Sequence, residues 1–391
     1  MNIRKTKIFV ALFFLVFAMF LSNDFGLINI EKTAIVTALA IDKGEKYNYK
    51  ITVQVAVPEA GNANTENPKA TISGEGDTVA GALKDAGSLS GWYLKLSFCN
   101  LLIIGNSLTS DSVIKELDFF AKTLNVQDSS LVITTDNNAS ELLEKASPLD
   151  NISSFALQKV LLKEPGFDSE VLPIDLREFV NGIYSKSSSA YMPLVKMVKQ
   201  DSSSSGESKS SGGSESKDEK VVFDATTTAL FKNGIMVGML NKEQTFILKM
   251  LKGLTTSTTF PISALKDGEQ TNYLINALRT TPKIKVSADN FNLEVDIFID
   301  VYCKVVDQNA PWQDSENSRN VPLDSEVINA SKEKLEKDIK SLIEIIKQTD
   351  CDLLGITDSV YKYHYPYYNQ VKDFCVKNFT EKISVNVKGQ K

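Results

Sequence analysis

The run TAIVTALAID at Thr33–Asp42, the polar break KGEK at Lys43–Lys46 and the run YNYKITVQVAV at Tyr47–Val57 set the character of the chain. The first is rich in Val, Ile and Thr, which fit a pleated surface. The last alternates apolar and polar residues, the period of a half-buried strand. Together they predict a β-hairpin. Beyond it, Pro58–Pro68 is a polar loop and Thr71–Gly76 a short strand. Asp77 or Thr78 supplies an N-cap for a helix reaching about Leu89. Phe98–Ile104 (FCNLLII) reads as one buried strand. Asp111 or Ser112 caps a helix with Val113, Leu117, Phe120 and Leu124 on one face. Leu131–Thr135 is a strand, and Asn138 opens a short helix. Residues 152–162 and 173–184 are helical, and Met192–Val195 is extended again. Strands and helices interleaved in this way predict an α+β protein, with antiparallel-rich sheets packed against helices.

Asp201–Glu219 is almost wholly Ser, Gly, Lys, Glu and Asp. Such a run buries too little apolar surface to offset its ordering entropy. It reads as a disordered linker or long loop. It separates residues 28–200 from residues 220–391, and each part has strands and helices of its own. In the second part Val221–Phe231 and Ile235–Leu240 flank Asn233-Gly234, a strong hairpin signal. Asn241 caps a helix with Phe246, Ile247 and Met250 on its apolar face. Strands follow at Ile284–Ala288 and Asn292–Val306. Ser325–Lys347 is the strongest helix, carrying Val327, Leu335, Ile339, Leu342, Ile343 and Ile346 at helical spacing. An aromatic stretch, Tyr361–Tyr368, precedes a last strand at Lys382–Val387.

Residues 1–27 belong to neither part. Arg4, Lys5 and Lys7 precede an unbroken apolar run, Ile8–Leu21, and Ser22, Asn23 and Asp24 follow it. Basic, apolar and polar regions in that order make a signal peptide or membrane anchor. The run is 14 residues long, which as a helix rises about 21 Å against a hydrocarbon core of about 30 Å. A plain span is therefore marginal, although Lys7 can snorkel. The basic flank directs the remaining chain out of the cytoplasm.

The 391 residues are 42% hydrophobic and 24% charged, the balance of an ordinary globular protein. A net charge of −6 argues against nucleic acid as a partner. His364 is the one histidine, so His-based metal sites and His-dependent catalysis are not expected. Gly74 and Gly76 hint at a nucleotide loop, but Val79 stands where the dinucleotide fingerprint needs its third glycine. A structural turn is the better reading. No nucleophile elbow occurs. No catalytic, cofactor-binding or metal-binding residue is assigned. Cys99, Cys303, Cys351 and Cys375 contain no C-x-x-C pair. Cys351 and Cys375 flank the aromatic stretch and could bridge, though buried free thiols are the preferred reading. The tyrosines of 361–368 suit a core seam or a subunit interface better than a sugar-stacking platform.

The order of these features resembles the Ger(x)C family, the C subunits of bacterial spore nutrient germinant receptors. The family's A-x-V-x-A-x-G-I-D strand is matched by Ala34-Ile35-Val36-Thr37-Ala38-Leu39-Ala40-Ile41-Asp42. Further matches are Gly76-Asp77-Thr78-Val79, and Asn100 through Gly105. Phe231-Lys232 through Val237-Gly238-Met239-Leu240-Asn241-Lys242-Glu243 resembles another family segment. Asp352-Leu353-Leu354-Gly355 and Tyr365-Pro366 resemble its ending. The resemblance runs from about Phe25 to Val387. One departure has chemical weight: the family's lipid-bearing cysteine falls on Asp24, and a carboxylate cannot form the thioether.

The resemblance implies a non-enzymatic receptor subunit, without cofactor, on the outer face of the spore inner membrane. It would work with membrane-embedded A and B subunits, and direct nutrient binding is not expected. With no sulfur at position 24, the apolar segment 8–21 would hold the chain at the membrane. Two rivals come from other classes. An exported solute-binding protein would show two similar lobes, a hinge and direct ligand affinity. An exported hydrolase lacks any supporting motif.

Overall fold

In the computed structural model, the residues described are 32–56, 69–122, 126–145, 147–162, 170–199, 221–266, 269–289, 292–309 and 323–389, with positions 10, 12–14 and 17 of the apolar run. Leu124, Asp24, most of Ile8–Leu21 and all of Asp201–Glu219 lie outside them. Among the described residues, no helix is long and apolar enough to cross a membrane.

The first part forms β1 (Thr33–Lys43), β2 (Tyr49–Ala56), β3 (Lys69–Gly76), α1 (Val79–Ser90), β4 (Tyr93–Lys95) and β5 (Leu101–Ile104). Then come α2 (Asn106–Thr109), α3 (Ile114–Lys122), β6 (Leu131–Thr135), α4 (Ala139–Glu144), α5 (Ser153–Leu161), α6 (Leu176–Tyr184) and β7 (Ser189–Lys199). The second part adds β8 (Val221–Lys232), β9 (Ile235–Leu240), α7 (Lys242–Leu251), β10 (Thr258–Lys266), β11 (Glu269–Asp289) and β12 (Asn292–Gln308). It ends with α8 (Ser325–Thr349), α9 (Ile356–Tyr363), α10 (Tyr365–Val371) and β13 (Thr380–Gly389).

The first sheet has the order β3-β2-β1-β5-β6-β7-β8-β9, with β4 also paired to β1. Its middle, β1-β5-β6-β7, is parallel, and both flanks are antiparallel. Parallel strands are usually covered on both faces, and here alternate side chains sort into two cores. Leu39, Ile41, Leu102, Ile104 and Val132 face a core with Leu117 and Phe120 of α3 and Phe179 of α6. Ala38, Ala40, Leu101, Ile103 and Ile133 face the opposite way, onto Leu142 of α4 and Leu157 of α5.

β8 and β9 follow the Ser-rich segment yet complete this first sheet. β7 and β8 pair antiparallel up to Lys199 opposite Val221, so residues 200–220 join two neighbouring strand ends. Asn233 and Gly234 have φ of 52° and 81°, the left-handed pair that a tight hairpin turn requires. That turn sits on the start of α3, where the Ser112 hydroxyl donates to the Asn233 carbonyl at 2.9 Å. The expected Ser112 cap is thus replaced by a contact between the two parts of the chain.

The second sheet has the order β10-β11-β12-β13. Val295, Ile297, Ile299 and Val301 of β12 alternate inward, and the stripe Val327, Leu335, Ile339, Leu342, Ile343 and Ile346 of α8 joins the same core. That core is continuous with one face of the first sheet. Lys347 near the end of α8 bonds Glu381 at 2.7 Å and the Phe379 carbonyl at 2.9 Å, fixing the helix to β13.

The structure therefore bears out a mixed α+β fold with sheets packed against helices. It corrects the single strand expected at Phe98–Ile104. The chain pairs through β4, makes a turn at Leu96–Phe98 and resumes as β5, leaving Phe98 exposed. β11 begins at Glu269 rather than Ile284, and β10 precedes it where no strand was expected.

Candidate functional site

The residues that carried the family resemblance hold backbone. Asp42 ends the first motif strand and is 3% exposed. Its carboxylate accepts from the amides of Ala139 at 2.6 Å and Ser140 at 2.9 Å. Those are first-turn amides of α4, which have no partner within the helix. Gly105, the last residue of another motif, lies against the same carboxylate. A Cβ there would stand 2.1 Å from Asp42 Oδ1.

Asp352 repeats the device in the second part. It is 4% exposed and accepts from the amides of Ile356 at 2.9 Å and Thr357 at 2.7 Å, at the start of α9. Its own amide donates to Ser189 Oγ at 2.9 Å. Gly355 has φ of +70°, a conformation glycine adopts at little cost. Gly74 and Gly76 serve close packing. Cβ atoms there would lie 2.2 Å from the Ala86 nitrogen and 2.5 Å from the Ala82 nitrogen of α1. Thr78 is the cap of α1, accepting from the Gly81 amide at 3.1 Å.

Between β1, β2 and the α4–α5 pair lies a buried polar chain. Gln54, fully buried, donates to the Leu143 carbonyl and accepts from the Ser154 amide, both at 2.9 Å. The Ser154 hydroxyl donates to Thr37 at 2.9 Å. Buried polar groups paired this completely fix one geometry.

A cleft lined by both parts of the chain lies beside Asp352. Its volume is about 470 Å³, and its walls include Arg177, Glu178, Ser187, Lys252, Asp352 and Asp358. The Lys252 ammonium lies 4.8 Å from the centre of the Tyr191 ring. Desolvation lowers its pKa below the usual lysine value, while the charges of Glu178 and Asp352 act in the other direction. The Tyr191 hydroxyl donates to Glu178 at 3.3 Å, and burial first, then Glu178, raises its pKa. Each carboxylate of the cleft already accepts a hydrogen bond from the protein. Asp175 takes the Glu178 amide at 2.7 Å, and Asp358 takes the Lys186 amide at 3.1 Å. Arg177 pairs with Asp128 at 2.7 Å. This arrangement binds the two parts of the chain to each other.

All four cysteines are buried and free. Burial pushes Cys99, Cys303 and Cys351 up to about 12, so they are inert thiols at neutral pH. Cys351 donates to the Phe231 carbonyl at 3.4 Å, and Cys375 meets the Thr357 hydroxyl at 3.2 Å. They do not bridge. The aromatic stretch makes α9 and α10, with His364 between them bonded to the Val286 carbonyl at 2.9 Å. Tyr361, Tyr365 and Tyr368 pack together with ring centres 5.0 to 6.5 Å apart, Tyr361 edge-on to the other two and Tyr365 stacked with Tyr368. Tyr367 and Tyr368 are partly buried against the core, but Tyr363 and Tyr365 are 77% and 59% exposed. The stretch is therefore only in part a core seam.

Fold and site together define a two-sheet α+β module in which buried carboxylates and a lysine-centred cleft tie its parts together. Residues 27–197 match the spore germination protein N-terminal domain, and residues 226–390 match the spore germination B3/GerAC like C-terminal domain. The chain belongs to this Ger(x)C family of spore germination proteins. It is similar to spore germination protein KC of Bacillus subtilis (strain 168), 21% identical over 91% of this chain and 88% of that protein. Spore germination protein B3 of the same strain is 22% identical, covering 95% of this chain and 93% of that one. The crystal structure of the GerBC protein shares the fold, with a TM-score of 0.52 and 19% identity over 90% of this chain and 97% of that one.

Proposed function

We propose that this chain acts in spore germination as the C subunit of a nutrient germinant receptor, as a scaffold that docks membrane-embedded A and B subunits. The observation that carries the reading is the use of the motif carboxylates. Asp42 and Asp352 are spent on helix amides inside the protein, which suits residues selected to hold a shape that others bind. On this reading the subunit performs no reaction and takes no cofactor. Residues 28–200 and 220–391 are its two family segments, and 201–219 is the loop between them. The apolar run 8–21 holds it at the outer face of the spore inner membrane, since Asp24 cannot take a lipid. Labelling with a lipid precursor tests that last point, and a diacylglyceryl-modified N-terminus would overturn it.

Deleting the chain is expected to abolish germination by its cognate nutrient and to leave germination by non-receptor triggers intact. Co-purification from spore membranes should recover A and B subunits with it. An unchanged nutrient response in a strain without redundant receptors would refute the proposal. The cleft around Lys252 favours a second reading, as an exported solute-binding protein. Calorimetry of the purified chain with the nutrient separates the two: heat of binding that is lost in Lys252→Met supports the second.

A further inference from the structure

Exposed apolar side chains gather at several places on the described surface, among them the tyrosines Tyr361, Tyr363 and Tyr365 and the outer face of β9, with Ile235, Val237 and Met239. A further group, of different chemistry, lies at the end of the first sheet where β1 begins. The turn from α1 into β4 presents Leu89, Trp92 and Tyr93, which are 71%, 48% and 48% exposed. Phe98 and Ile35 follow at 51% and 40%. β4 runs parallel to the first residues of β1, with Tyr93 opposite Thr33 and Lys95 opposite Ile35. Trp92 borders an apolar hollow of about 200 Å³ with Ala34, Val55, Ala70 and Ile72. The Lys95 ammonium lies 5.8 Å from the centre of the Phe98 ring, and Lys32 is exposed.

We infer that this end of the molecule rests in the headgroup layer of a phospholipid bilayer. Trp and Tyr favour that layer because the ring body is apolar while the N–H or O–H stays wet. Lysines at its edge reach phosphates. Position in the chain selects lipid over a protein partner. Leu21 ends the apolar run 11 residues before Lys32, at most about 40 Å of extended chain. If the run is in the membrane, the patch lies where the tether enters the fold, whereas β9 is the far edge strand of the same sheet, five strands from β1. A contact of this kind would orient the module, which a tether alone does not do.

The inference rests on the membrane-held reading above, and the test separates the two. Trp92 and Trp312 are the two tryptophans, so Trp312→Phe leaves Trp92 as sole reporter in the full chain. The variant is reconstituted in phosphatidylcholine–phosphatidylglycerol vesicles, with and without phosphatidylcholine brominated high on the acyl chain. The expected result is a blue shift of Trp92 emission on binding and a marked loss of intensity with the brominated lipid. If the chain floats with the vesicles while Trp92 is neither shifted nor quenched, the patch does not face lipid and the inference fails, with the tether left standing. If the full chain does not float with vesicles, both the inference and the membrane-held reading fail.

Discussion

Asp42 holds two helix amides with one carboxylate, and Gly105 leaves it the room to do so. Removing the carboxylate leaves two buried donors unsatisfied, each costing about 1–3 kcal/mol. Asp42→Ala should therefore lower stability by about 2–6 kcal/mol, seen as a fall in the urea midpoint at unchanged slope. Gly105→Ala should destabilise too, because the added Cβ would stand 2.1 Å from Asp42 Oδ1. The carboxylate is the obstacle, so Gly105→Ala should cost distinctly less in the Asp42→Ala background than in the parent. Additive effects in that double-mutant cycle would show that the two residues do not act as a unit. The motif Ile41-Asp42 was legible in the sequence. Its partners Ala139 and Gly105 were not, since no local spacing links positions 42, 105 and 139.

α1 and β3 give a paired test of opposite sign. A Cβ on Gly74 would lie 2.2 Å from the Ala86 nitrogen, so Gly74→Ala must lift the helix off the strand and should destabilise strongly. Gly87, inside α1, has only ordinary contacts, the nearest at 3.6 Å. Gly87→Ala should stabilise by about 0.5–1 kcal/mol, through the helix propensity of alanine. Thermal melting of both variants decides this, and shifts of the same sign would contradict the packing described. Elements with a clean period were legible: the opening hairpin, the Asn233-Gly234 turn and α8. β10 and the first half of β11 were not. Pro282 argues against a strand, but β10 pairs with β11 only as far as Ala277. Beyond that point no described strand pairs with the side of β11 facing away from β12, and at such an edge proline is tolerated. A register shift between Ala277 and Arg279 also breaks the alternation that would have revealed the strand. The Lys252 cleft was invisible for another reason. Glu178, Tyr191, Lys252 and Asp352 come from separate elements, and a lysine following a helix is unremarkable in a sequence.

At the scale of the molecule, the Ser-rich segment divides the sequence but not the sheet. β8 pairs with β7 along most of its length, and the core under α8 continues beneath the first sheet. Proteolytic nicking between Asp201 and Glu219 should therefore leave two fragments that elute together from a sizing column and part only in denaturant. Fragments that separate under native conditions would mean that β7–β8 pairing and the shared core contribute little. β1 has a further consequence, mechanical in kind. It is the strand nearest the apolar run 8–21 in sequence, and it is also interior to the sheet, with β2 on one side and β4 and β5 on the other. Strand hydrogen bonds lie across the chain direction, so tension arriving at Thr33 pulls along β1 and loads its whole ladder in shear. The bonds must then yield together rather than unzip one at a time. On the proposal that the run 8–21 holds the chain at a membrane, a body moored through such an interior strand can be tugged without unravelling from the mooring point.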